Sequence, residues 1–134
     1  IVSMMLTPQH LADIQDINNK VRKVLETLKS KGIKIYLTGN WAHIASLKSA
    51  MPDLFVLFSG VFVSGDLHLL KPSQDFYETV LKKANVNFNQ ALWIETESKF
   101  VIAAKKYQLS VIHYDLNQNI NNLITALNQH GLKV

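Results

Sequence analysis

Ile33-Lys34-Ile35-Tyr36-Leu37-Thr38-Gly39-Asn40 is the stretch on which the fold turns. Its first six residues are β-branched, aromatic or aliphatic around one lysine, the composition of a strand. Upstream, Leu11, Ile14, Ile17, Val21, Leu25 and Leu28 recur at steps of three and four, which is one apolar helix stripe. That helix is expected to open at Thr7-Pro8, an N-cap followed by proline at the first helical position. Gly32 supplies its stop, with the cations Lys29 and Lys31 in the last turn, where the helix dipole favours them. Downstream, Asn40 can cap a helix from Trp41 to Ala50 that Pro52 ends.

The same alternation continues to the end of the chain. Val61-Phe62-Val63 is expected to be a strand after Gly60. Ser73 then caps a helix that carries Phe76, Val80, Leu81 and Ala84 on one face. Ala91-Leu92-Trp93-Ile94 is a third strand, Lys99 to Tyr107 a helix, and Ser110 to Tyr114 a fourth strand. A final helix runs from about Gln118 to Gln129, with Ile120, Leu123, Ile124 and Leu127 inward and Gly131 beyond its end. The strands are short apolar runs rather than strict alternations, so both of their faces are expected to be buried. The predicted class is therefore α/β: a doubly wound, Rossmann-like parallel sheet with helices on both faces, forming one domain over residues 1–134. Ligands bind such sheets at the carboxyl ends of the strands. The residues to examine are then Thr38-Gly39-Asn40, Ser64-Gly65-Asp66, Glu95-Thr96-Glu97 and Tyr114-Asp115.

Bulk properties narrow the function. A charged share of 18% and a formal net charge of +4, with basic and acidic residues interspersed, give no basic stripe for nucleic acid. The absence of cysteine removes disulfide frameworks and thiolate metal sites and fits a cytoplasmic setting. The longest apolar run, Leu54 to Val63, is too short to span a bilayer, and the N-terminus lacks the layout of a signal peptide. No phosphate-binding P-loop, dinucleotide fingerprint or nucleophile elbow is present. The five histidines are dispersed. His10 and Asp13 share a helix face as solvated residues, and His113 is expected to be packed or hydrogen-bonded at a strand end.

An ordered set of motifs points further. Leu37-Thr38-Gly39-Asn40-Trp41 is followed by Val63-Ser64-Gly65-Asp66, Leu70-Lys71-Pro72 and Phe76-Tyr77. Leu92-Trp93-Ile94-Glu95 through Val101-Ile102-Ala103-Ala104 completes it. Over about Val21 to Tyr114 this order resembles the haloacid dehalogenase-like hydrolase superfamily, especially the subgroup with a small helical cap inserted early in the chain. The resemblance implies a phosphatase-type hydrolase of small phosphorylated metabolites. An aspartate on the central first strand forms a covalent ester, a hydroxyl after the second strand holds the phosphoryl oxygens, and a lysine offsets their charge. Acids after the fourth strand hold magnesium. Carried over by motif, Lys71 is the catalytic lysine, Thr38, Gly39 and Asn40 are the phosphate-binding residues, and Glu95 is the metal ligand. Either Thr38 or Gly39 stands at the hydroxyl position.

The departures are as informative. No Asp-x-Asp-x-Thr exists in the chain, so the nucleophile motif and the cap that follows it are both missing. Where the family's metal motif has two adjacent acids and a supporting Asn, this chain has Glu95, Thr96 and Phe100. Glu97 could compensate for the lost acid, but an exposed acid at a helix start, favoured by the dipole there, is the expectation. Phe100 is expected to pack inward. The chain is therefore expected to be inactive in this form, as either a fragment or a domain that has lost its catalytic strand, with at most weak magnesium binding. A non-catalytic binding or assembly module that keeps the fold is the alternative. The slot of the nucleophile strand, between residues 33–38 and 91–95, must be filled by an upstream segment, a second chain or Ile1 to Leu6 folding back. The upstream segment is the expectation, because Leu6 runs almost directly into the predicted helix cap.

Overall fold

The structure, a computed structural model, describes residues 1–8, 19–41, 49, 52–116 and 118–134. Five parallel strands form one sheet: β1 (Ser3–Thr7), β2 (Lys34–Gly39), β3 (Gly60–Val63), β4 (Ala91–Glu95) and β5 (Ser110–His113), in the order β3-β2-β1-β4-β5. The helices are α1 (Asn19–Ser30), α2 (Pro52–Phe55), α3 (Ser64–Leu67), α4 (Gln74–Ala84), α5 (Ser98–Lys106) and α6 (Ile120–Gln129), with a 3-10 turn at Phe88–Gln90. The class and the strands after residue 33 are those expected. Most of the expected helix over 41–50, residues 42–48 and 50, and the His10–Asp13 pair lie outside the described residues.

Two-faced burial follows the period of two along each strand. Met4, Leu6, Ile35, Leu37, Leu92 and Ile94 pack on one face with Val21, Leu25 and Leu28 of α1 and Leu123 and Leu127 of α6. Met5, Tyr36 and Trp93 pack on the other with Phe76, Tyr77 and Val80 of α4 and Ala104 of α5. Gly32 and Gly131 have φ of 87° and 80°, as helix stops require. Ser73 caps α4, its hydroxyl accepting from the Phe76 N–H at 3.2 Å.

The N-terminus departs from expectation. The slot between β2 and β4 is filled by the chain's own Ser3–Thr7, not by an upstream segment or a second chain. Met4 pairs with Ile35 on one side and Leu92 on the other, and Thr7 pairs with Glu95. All five β1 residues are buried. Fully burying a Met or Leu side chain is worth about 1.5–3 kcal/mol. Three such side chains, together with ladder hydrogen bonds on both edges, outweigh the poor β-propensity of Met-Met-Leu. Thr7 closes this strand, and the segment expected to begin the helix, residues 9–18, lies outside those described.

Candidate functional site

The strand order places a switch point between β1 and β4. The chain leaves β1 for the α1 face and leaves β4 for the α5 face, which opens a crevice at their carboxyl ends. A cleft of about 130 Å³ lies there, lined by Thr7, Gly39, Asn40, Lys71, Thr96 and Lys99 among others. β1, β2 and β4 and the start of α5 supply most of these residues, and Lys71 enters on the loop before α4.

At the floor, the Lys71 ammonium donates to Glu95 Oε1 at 2.6 Å, with side chains 3% and 0% exposed. Thr7 Oγ1 lies in contact with both Glu95 Oε1 and the Ile94 carbonyl. A hydroxyl has one proton, so it donates to one of them at a time. The other carboxylate oxygen, Glu95 Oε2, is buried without a hydrogen-bond partner among the described residues, as is the Tyr77 hydroxyl. The phenol is nonetheless close enough to Glu95 that its pKa is raised, first by burial and then by that charge. Tyr77 packs edge-on against Trp93 with centroids 4.9 Å apart. Burial pushes Glu95 up and Lys71 down, and their mutual attraction opposes both shifts.

Asn40 holds the lysine from behind. Its Oδ1 accepts from the Lys71 N–H at 2.9 Å and its Nδ2 donates to the Lys71 carbonyl at 3.2 Å. The Lys71 ammonium lies 4.3 Å from the centroid of the Phe100 ring, within cation–π range. Phe100 is buried, as its apolar character suggested. Tyr107 donates to the Pro72 carbonyl at 3.2 Å, tying α5 to the same loop.

Of the residues singled out in the sequence, Gly39, Asn40 and Lys71 line the cleft, and Lys71 grips Glu95 beneath it. Thr38 is 0% exposed and its hydroxyl has no partner among the described residues, so it is sealed inside the sheet face. A Cβ on Gly39 would lie 2.7–2.8 Å from the tip of the Trp41 indole, so that ring occupies the space a side chain would need. Ser64 and Gly65 donate to the Trp41 carbonyl and hold the indole's backbone rather than a ligand. Tyr114 bonds to the Gln118 carbonyl, and His113 Nε2 lies 3.0 Å from the Thr96 carbonyl, clear of the floor. Sequence reading missed Thr7, taken for a helix cap, and gave Tyr77 no role. Recognising residues 3–7 as a strand would have found Thr7 at its carboxyl end.

The magnesium ion implied by the resemblance does not fit these donors. Glu95 Oε1 is already held by an ammonium and lies against the Thr7 hydroxyl, Thr96 brings no carboxylate, and Glu97 alone adds one acid to the cleft. No group of three His, Asp or Glu able to hold a metal occurs among the described residues. No helix among them is long and apolar enough to cross a membrane.

Comparison with known proteins bears on this site. A family model described as haloacid dehalogenase-like hydrolase matches residues 7–114. The chain is 27% identical over 95 residues to the sesquiterpene phosphatase astK of Aspergillus oryzae (strain ATCC 42149 / RIB 40), an alignment covering 70% of this chain and 48% of that protein. It thus spans about half the length of the curated relative it matches. Among solved structures, an uncharacterized protein from Corynebacterium glutamicum ATCC 13032 Kitasato superposes with a TM-score of 0.77 at 14% identity, covering 99% of this chain and 97% of that one. A HAD-superfamily hydrolase, subfamily IA, variant 1, from Geobacter sulfurreducens PCA superposes with a TM-score of 0.62 at 18% identity, covering 72% and 50%. At such identities these likenesses speak for the fold.

Proposed function

The chain belongs to the haloacid dehalogenase-like hydrolase family, and from that premise we propose that it is a phosphatase-type member that binds the phosphate of a small phosphorylated metabolite without turning it over. The observation that carries this reading is Thr7. It ends the central strand beside Glu95, where the family's resemblance calls for a nucleophilic aspartate. Its hydroxyl is buried against β4, and the one carboxylate it touches among the described residues, Glu95, is already held by Lys71. Binding is a different matter. The cleft opens at the start of α5, where the helix dipole and N–H groups favour anions. Lys99 lines it, as do the Glu95-paired Lys71 and the opposing carboxylate of Glu97, and one Asn40 amide proton remains beyond its bond to Lys71.

The phosphatase in the relative's name supports the phosphate class but not the substrate, since that protein is twice as long as the aligned stretch. Two measurements test the reading. The chain is expected to leave an aryl phosphate intact, and turnover abolished by Lys71→Ala would overturn its inactivity. Inorganic phosphate is expected to shift backbone NMR signals around Asn40 and Lys99, and less so in Lys99→Met. Spectra unmoved by phosphate would overturn the binding role.

A further inference from the structure

We propose that Lys71 is the resident cation of this site: its ammonium holds the Glu95 carboxylate in place of a divalent metal. This stands on the ion-pair geometry and does not require the phosphate reading. A lone buried carboxylate is costly, and it needs either a partner or a proton. Here it has a partner at 2.6 Å, and neither side chain is more than 3% exposed. The lysine is not a chance visitor to that carboxylate. Asn40 grips its main chain through both amide groups, and the Phe100 ring lies against its ammonium. Both supporting groups come from other elements, so the ammonium is delivered to one point.

The same arrangement excludes a hard divalent ion. Magnesium needs near-octahedral oxygen ligation and retains several waters. Glu95 Oε1 accepts from Lys71 and lies against the Thr7 hydroxyl, and Oε2 is buried away from solvent. Thr96, next along the chain, brings only a hydroxyl. Phe100 occupies space above the lysine that a hydrated ion would need to share. An ion could reach Glu95 Oε1 only by displacing the ammonium that holds it.

The test is a double-mutant cycle on the chain combined with metal titration. Lys71→Met and Glu95→Gln are each expected to lower the melting temperature more than Lys71→Met/Glu95→Gln together, because each single change strands one buried partner. Wild type is expected to melt at the same temperature in magnesium chloride as in EDTA, and to show no saturable manganese binding by water-proton relaxation. Additive losses in the cycle would overturn the pairing. A saturable magnesium-dependent rise in melting temperature that Glu95→Gln abolishes would overturn the exclusion of metal. If Lys71→Met fails to fold, Glu95→Gln and the double variant still decide: the double must be the more stable of the two.

Discussion

Glu95 and Lys71 form a buried pair, and their titration should be visible in the stability of the whole chain. The folded pKa of Glu95 lies above the ordinary 4.5, chiefly through burial. Between 4.5 and that value the folded state keeps a proton the unfolded chain has released. Its contribution is therefore full below 4.5 and is lost as pH rises through the folded pKa. Lys71 lies below the ordinary 10.5, again chiefly through burial. There the unfolded chain binds the extra proton, so stability grows as pH rises from the folded value toward 10.5. Thermal melts of wild type and Glu95→Gln across the acid range should diverge, with only wild type losing stability from this group as pH climbs. Parallel curves would mean that the carboxylate titrates normally. A second prediction concerns Gly39. Gly39→Ser restores a hydroxyl at the family position but drives the Trp41 indole aside, at a cost of about 1–3 kcal/mol for overpacking. Because the clash is with the far end of that ring, tryptophan emission should shift to the red, and Gly39→Ser/Trp41→Ala should recover stability. Lys71 and Glu95 were singled out in the sequence through the resemblance of their motifs to the family's, though in separate roles; their pairing was not legible, because it depends on where the loop before α4 meets the end of β4. The Trp41 contact was not, because ring placement depends on a backbone hydrogen-bonded to Ser64 and Gly65, some two dozen residues away.

At the scale of elements, helices with a clean stripe and a local stop were readable and β1 was not. The reason is local chemistry. Ser73 and Gly32 announce their roles through groups that act within one turn: a hydroxyl accepting from the N–H three residues on, and a backbone at φ of 87°. Nothing lies within 4 Å of a Cβ added at Gly32, so Gly32→Ala isolates the backbone term. It should cost about 1–2 kcal/mol by urea denaturation, the penalty for a side chain in the left-handed region. A loss near zero would show that the turn relaxes to another conformation. Phe100 belongs to the same scale, because its ring joins α5 to the Lys71 loop. Phe100→Asn returns the family residue yet should destabilise by about 3 kcal/mol, as truncation of a buried phenylalanine does. An unchanged melting temperature would place the ring outside the packing. For β1 the local signals pointed elsewhere. Thr7-Pro8 matches a helix start, and Met-Met-Leu has little intrinsic preference for a strand. Its structure is decided by two neighbouring strands far away in sequence, which no window of residues contains.

For the whole molecule, the order β3-β2-β1-β4-β5 makes the five residues of β1 the hinge of stability, because every path between the two halves of the sheet crosses them. β1 pairs with β2 over Ser3–Leu6 and with β4 over Ser3–Thr7, and its side chains join both hydrophobic clusters: Met4 and Leu6 one, Met5 the other. Without it, β2 and β4 would each present a row of unpaired N–H and C=O groups. An unsatisfied buried group costs about 1–3 kcal/mol, so a few of them would consume a net stability of about 5–15 kcal/mol. Paired on both edges and buried, this segment should open only when the sheet does. The amides of Met4, Met5 and Leu6 are therefore expected to exchange with solvent as slowly as those of Ile35, Leu37 and Leu92, at the rate set by global unfolding. Met5→Pro, which removes a ladder donor and stiffens the strand at its centre, should abolish cooperative melting rather than merely lower its midpoint. Exchange at Met4 to Leu6 that is orders of magnitude faster than in β2 and β4 would show the opposite: that the strand docks only in passing, and that the two halves of the sheet hold together without it.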